Sequence, residues 1–331
     1  MRKKTIALAL LATALSSGGW IRPARAPAQT SRDKTLVVGV FRPDGVIVPF
    51  ALYAKRRWTN PWHSPVPDAP PDEPDTVADL PKPWYESFVK PGAEWYLSLS
   101  SADANAVSTS RNIQVCSHCQ QVWGLLTDYP NPKPPEKSEC VRNLGIALSL
   151  KKQTRPIEQP TNTSPDAKQL LTFLIPEFER AESAGLATEP ARYYAAQMPP
   201  AQERAKVPLS LTHLYQTKLT DEGPVLSYFE VSKEYAKPRA ANDAGCNNVS
   251  LFGGWLRRDA QGKFVLLDSQ FAPTDCDMKE GGLSLPLAIL QMDGKTFAIV
   301  EEDSYEGEGY VILEIRKDKV RRILETLAGS C

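Results

Sequence analysis

The sequence predicts a mainly β protein of antiparallel hairpins, propeller-like or a sandwich, with a proline-rich strap and one helical insertion. Three observations predict it. Short runs of β-branched and aromatic residues recur along the chain, turn signals separate them, and one long stretch alone carries a strong helical period. The turns Asp221-Glu222-Gly223, Asp259-Ala260-Gln261-Gly262 and Asp293-Gly294 start 38 residues apart (221 to 259) and then 34 (259 to 293). A period of this size suits a propeller blade of two hairpins. The same turns are ordinary hairpin chemistry in an antiparallel sheet, so a β-sandwich accounts for them equally.

The first predicted element is a hairpin. Thr35 to Phe41 and Val46 to Tyr53 flank Arg42-Pro43-Asp44-Gly45, where proline and Asp-Gly favour a tight reversal. Leu36, Val38 and Val40 share one face and Val37 and Phe41 the other, so both faces of the strand need cover. Pro49 has no ladder donor, which places it at an edge or a bulge. A strap over 58–91 follows, with Pro61, Pro65, Pro67, Pro70, Pro71, Pro74, Pro81, Pro83 and Pro91, and it is excluded as a central strand. Trp58, Trp62 and Trp84 in this strap are expected to pack onto the body, with sugar stacking as the alternative.

Trp95 to Ser100, Arg111 to Val115 and Gly145 to Lys152 read as extended, and Gln120 to Leu126 as strand or a helical turn. The helical insertion, 164–206, opens with Ser164 as N-cap and Pro165 at the first helical position. Ala167, Leu170, Leu171, Leu174, Phe178 and Ala181 form its apolar face, Pro176 is expected to kink it and Gly185 to end it. A short second helix is expected from Thr188 to Met198. From Val207 the period returns to β: Leu209 to Lys218, Pro224 to Val231, Trp255 to Arg258, Lys263 to Leu267, Pro286 to Met292, Thr296 to Glu301 and Tyr310 to Ile315.

The first residues indicate export. Arg2, Lys3 and Lys4 precede a short apolar run, Ile6 to Leu15, and Ala26-Pro27-Ala28 offers a cleavage site. Residues 1–28 are therefore expected to be a signal peptide and 29–331 a β-rich body in the periplasm or outside the cell. No membrane span is expected, because no later apolar run is long enough. The 39 basic and 39 acidic residues give no global field for nucleic acid.

Six cysteines in an exported chain point to disulfides, and Cys116, Cys119, Cys140, Cys246, Cys276 and Cys331 are the candidates. Cys246 and Cys276 flank the strand pair Trp255 to Phe271, so they are the first choice for a bridge across one hairpin. Cys140 lies across a proline-rich connection from Cys116 and Cys119, and Cys331 could tie down the terminus.

Cys116-Ser117-His118-Cys119 resembles the redox motif of periplasmic thiol oxidoreductases. That resemblance implies a helix N-terminus and a histidine stabilising a thiolate within a βαβ framework, and no such framework is recognisable around it. Zinc bound by Cys116, His118, Cys119 and Cys140 is poorly served by the spacing, and haem attachment is excluded because Gln120 follows the second cysteine. His63, His118 and His213 are the only histidines, and no Gly-x-Ser-x-Gly elbow accompanies them. Glu301, Glu302, Asp303, Glu306 and Glu308 read as a solvated turn in preference to a calcium loop, and Asp275-Cys276-Asp277 as a turn. Asn162-Thr163-Ser164 and Asn248-Val249-Ser250 fit the glycosylation sequon, which matters only in a eukaryotic secretory pathway. No catalytic, cofactor-binding or metal-ligating residue is assigned. The leading expectation is an exported protein that binds a protein or carbohydrate, the second a hydrolase using acidic residues, and the third a thiol-disulfide enzyme at Cys116 and Cys119.

N-terminal sequencing of the protein from its native compartment should start at Gln29, and thiol titration should find most cysteines oxidised. If Cys246 and Cys276 are joined, replacing either by alanine should cost roughly 2–4 kcal/mol in denaturant unfolding.

Overall fold

Residues 297–300, Phe-Ala-Ile-Val, form an unbroken apolar run, and all four are buried. A strand of this kind needs cover on both faces, and the fold supplies it. The structure is a computed structural model, which describes residues 35–60, 92–99, 106–117, 120–130, 132, 143–189, 191–235, 247–275, 283–304 and 307–330. The side chains at 111–123, 275, 283, 303–308 and 327–330 lie outside that description.

The N-terminal half closes into a barrel. Its strands are β1 (Leu36–Phe41), β2 (Val46–Ala54), β4 (Glu94–Leu99), β5 (Ala106–Ser117), β6 (Gln120–Thr127) and β7 (Gly145–Leu148), in the order β1-β7-β4-β5-β6-β2. Pairing of β1 with β2 completes the ring, all neighbours are antiparallel, and β3 (Arg57–Thr59) extends β2 beyond it. Closure removes the edges that an open sheet exposes. The predicted turn joins β1 to β2, with Gly45 at φ 81 and the Gly45 amide donating to the Arg42 carbonyl. Opposite Val38 and Gly39 the register shifts, Phe50 is the extra residue, and Pro49 sits at this bulge. On its other side β2 meets β6 at Val46 and Ile47 and β3 from Leu52 onward. β7 must pass between β1 and β4, and a Cβ on Gly145 would come within 2.2 Å of the Ser98 carbonyl oxygen.

One face of the hairpin fills the barrel, where Val37, Phe41 and Ile47 meet Trp95, Leu97, Val107 and Leu125. The other face, Leu36, Val38, Val40, Val46 and Val48, packs outward onto a second sheet. That sheet, B, has the order β16 (Val320–Ser330), β15 (Gly307–Ile315), β14 (Lys295–Ser304), β13 (Leu283–Met292) and β8 (Gln153–Arg155). Leu290, Phe297, Ile299, Tyr310 and Ile312 face the barrel. Ile289, Ala298, Val300, Val311 and Leu313 point the other way, onto sheet C. Sheet C has the order β12 (Phe264–Asp275), β11 (Asn248–Arg258), β10 (Val225–Tyr235) and β9 (Ser210–Lys218). Residues after 207 thus build the sandwich alternative, and the barrel adds a further layer.

The outer face of sheet C is covered by α1 (Pro165–Leu186), whose Ala167, Leu170, Leu174 and Phe178 pack on Leu214, Phe229, Val231, Phe252 and Leu256. The Ser164 hydroxyl accepts from the Ala167 amide at 3.2 Å, and Arg258 holds Asp166 through two bonds of 2.8 and 2.9 Å. Short helices α2 (Arg192–Gln197) and α3 (Ala201–Arg204) follow. The segment after β8 joins the two sheets, because Glu158 exchanges both backbone bonds, each 2.8 Å, with Gln216 of β9. Most of the strap lies outside the described residues, Trp62 and Trp84 included. Trp58 is described: it is buried in β3 against Tyr53 and Phe297, with ring centroids at 4.9 and 5.5 Å.

Ile299→Ala removes a side chain facing the barrel, and Ile289→Ala one facing sheet C. Each should cost roughly 2–5 kcal/mol in chemical denaturation. A loss below about 1 kcal/mol at either position, the range of a surface change, would contradict burial on both faces.

Candidate functional site

The two ends of the sandwich differ. At one end the strands are joined by hydrogen-bonded turns at 219–224, 259–263, 293–294 and 316–319. At the other the longer connections 236–247 and 276–282 leave β10 and β12. Binding residues of β-sandwiches concentrate at such loop ends, and here the interior on both faces of sheet C turns from apolar to polar.

On the face toward sheet B, Tyr215, Tyr228 and Trp255 form a cross-strand aromatic row, with centroid separations of 6.4 and 5.3 Å. The next row toward the loops is His213, Glu230 and Gly253. Glu230 accepts from the Tyr228 hydroxyl at 2.6 Å and from the Ser284 amide at 3.2 Å, so β13 of sheet B contributes directly. His213 Nε2 stands 3.8 Å from Glu230 Oε2, its ring is stacked on Tyr215, and its side chain is 35% exposed. Burial, then the Glu230 charge and hydrogen bond, push the Tyr228 hydroxyl far above the ordinary tyrosine range, with the Ser284 hydroxyl bond opposing them. Gly253 leaves this row open, since a Cβ there would sit 3.3 Å from Glu230 Cγ. Glu302, beside Ser284 on β14, is held by Arg322 through bonds of 2.7 and 3.0 Å.

On the helix-facing side, Glu182 continues the stripe Leu170, Leu174, Phe178 at the same four-residue step, yet it is a buried carboxylate. Its Oε1 accepts from Tyr235 Oη at 2.5 Å and Ser250 Oγ at 2.8 Å, and its Oε2 from Arg204 Nε at 3.1 Å. A buried charge persists when it is paired and hydrogen-bonded, and this one draws α1, α3, β10 and β11 together. Burial first, then the Glu182 bond, raise the Tyr235 hydroxyl strongly.

Of the residues singled out in the sequence, His213 is brought into a cluster. His63 and His118 lie outside the described residues. Cys116 lies within β5, opposite Gln121 of β6, so the chain around Cys116-Ser117-His118-Cys119 is strand on both sides and no helix opens there. The strand context lacks the helix dipole a strongly oxidising pair draws on. Cys119, Cys140, Cys246, Cys276 and Cys331 fall outside the described residues, as does the Cys116 side chain. The ladder of β11 and β12 ends at Asn248 opposite Asp275, two residues after Cys246 and one before Cys276 in the chain. The acidic cluster is not a turn at its start. Glu301 and Glu302 lie in β14 on opposite faces, with Glu301 buried and receiving the Asn143 amide at 2.9 Å. Asp275 ends β12 and is likewise strand. Among the described residues no group of three or more His, Cys, Asp or Glu side chains is placed to hold a metal.

Sequence reading missed Glu182 and Glu230. The one available signal was a carboxylate at the next helical step of an apolar stripe in α1, and no signal marked Glu230. No protein-family model, curated protein or solved structure matches this chain.

Glu182→Ala should cost about 3–5 kcal/mol, because it leaves Arg204, Tyr235 and Ser250 without their acceptor, and Glu182→Gln should cost less. Alkali tests the tyrosines. Tyr53, bonded to Asp293 and pushed up mainly by burial to about 12, joins Tyr228 and Tyr235 in holding its proton longer when folded. A raised folded value stabilises fully below the unfolded value near pH 10, and this contribution falls as pH climbs past it. The loss should be up to about 1.4 kcal/mol per pH unit for each tyrosine. Absorbance titration should show at least three of the 11 tyrosines ionising only on unfolding.

Proposed function

We propose that this chain is an exported binding protein whose partner surface is the loop end of the sandwich. The observation that supports this reading best is the change from the Tyr215, Tyr228 and Trp255 row to the His213 and Glu230 row where the longer connections leave the sheets. Aromatic rows pack sheets together, whereas a half-exposed histidine beside a hydrogen-bonded carboxylate offers both a donor and an acceptor to a ligand. The opposite end, closed by tight turns, offers no comparable row among the described residues. Export rests on the basic, apolar and small-residue order of the first 28 residues.

A photoreactive residue in place of Thr212, exposed beside His213, tests this against one in place of Lys263 at the tight-turn end. Exposed to extracytoplasmic extract, the protein labelled at 212 should form a discrete adduct that His213→Ala with Glu230→Gln reduces at least tenfold. Equal adducts from both positions, or an adduct indifferent to the double change, would refute the loop-end surface.

A further inference from the structure

Among the described side chains, the helix-facing network holds more positive charge than its carboxylate answers. Lys233 is 4% exposed, and its ammonium donates to the Arg204 carbonyl at 3.2 Å and lies 5.2 Å from the Phe178 ring centroid. Neither neighbour carries a negative charge. Glu182, the carboxylate of this patch, is already engaged by Tyr235, Ser250 and the Arg204 guanidinium. Among the described side chains, two cations thus stand against one anion in a buried setting, where an unmatched charge is costly. Asn248 adds an unmet need of the opposite kind. It is fully buried, its Nδ2 donates to the Gln197 carbonyl at 3.0 Å, and its Oδ1 has no donor among the described residues.

Lys233 pairs with Ser250 and Tyr235 with Asn248 across β10 and β11, so Lys233 and Asn248 are diagonal neighbours on one face. Diagonal positions have Cβ atoms about 7 Å apart, the span of a small molecule. We propose that this patch binds a small carboxylic acid that carries a hydroxyl or ammonium on the adjacent carbon. The carboxylate meets Lys233 and balances the second cation, and the neighbouring donor satisfies Asn248 Oδ1. This site lies on the opposite face of sheet C from His213 and Glu230 and stands independently of the surface proposed there.

Calorimetric titration of the mature protein with sodium lactate and with L-alanine tests it, with acetate lacking the donor, methylammonium lacking the carboxylate, and inorganic phosphate as a different anion. Lactate or alanine should bind at least tenfold more tightly than acetate, with methylammonium silent. Lys233→Met should weaken that binding at least tenfold, and Asn248→Ala should abolish the preference over acetate. In the unaltered protein, the side-chain NMR signals of Lys233 and Asn248 should shift during the titration, a readout that does not depend on any variant folding. Absence of heat from both acids up to about 10 mM, binding that survives in folded Lys233→Met, tighter binding of phosphate, or NMR shifts confined to other regions would each overturn the proposal.

Discussion

Burial of sheet B on both faces is the constraint from which the rest of the architecture follows. Strands β14 and β15 carry apolar side chains on successive residues, so neither face can meet water. One face requires a partner sheet from the C-terminal half, which is sheet C. The other requires apolar cover that the C-terminal half does not provide, and the outer wall of the barrel supplies it through Leu36, Val38, Val40 and Val48. The first hairpin therefore belongs to two cores at once, since Val37, Phe41 and Ile47 fill the barrel behind it. Sheet C inherits the same need and meets it with α1, giving a stack of barrel, sheet, sheet and helix.

The edges follow a consistent logic. Closure removes them from the barrel apart from the short β3, β8 lies along β13, and Glu158 just after it bridges to Gln216 of β9. Tyr53 adds a polar fastening, its hydroxyl donating to Asp293 in the turn between β13 and β14 at 2.8 Å. On the outer layer, the Arg258 and Asp166 pair fixes the start of α1 and the Glu182 network fixes its far end. Polar groups are thus placed at the ends of apolar layers, where their bonds set register without interrupting hydrophobic contact.

Much of this was legible in the sequence because the local signals agreed with the tertiary outcome. Asp-Gly and related turns marked the hairpins, the two-faced pattern of residues 36–41 announced cover on both sides, and Ser164-Pro165 gave the helix start. β16 escaped because Arg321, Arg322 and Glu325 interrupt the alternation of a half-exposed strand, and β8 because three polar residues carry no period. Barrel closure was not legible, since nothing local states that β7 inserts between β1 and β4. The polar rows were hidden for a related reason. His213 and Glu230 are 17 positions apart in the chain (213 to 230) and meet only through the register of β9 with β10. Glu182 gains its meaning from Tyr235 and Ser250, which sequence separation conceals.

If one doubly covered sheet holds the molecule together, the barrel and the sandwich cannot open independently. Native-state hydrogen exchange measured residue by residue across a denaturant series tests this most directly. Amides of β1 and β7 in the barrel, β14 and β15 in sheet B, and β10 and β11 in sheet C should share one opening free energy equal to that of global unfolding, with one denaturant dependence. A barrel or sandwich whose amides exchange through a separate opening several kcal/mol below the global value, while the other stays protected, would contradict the account.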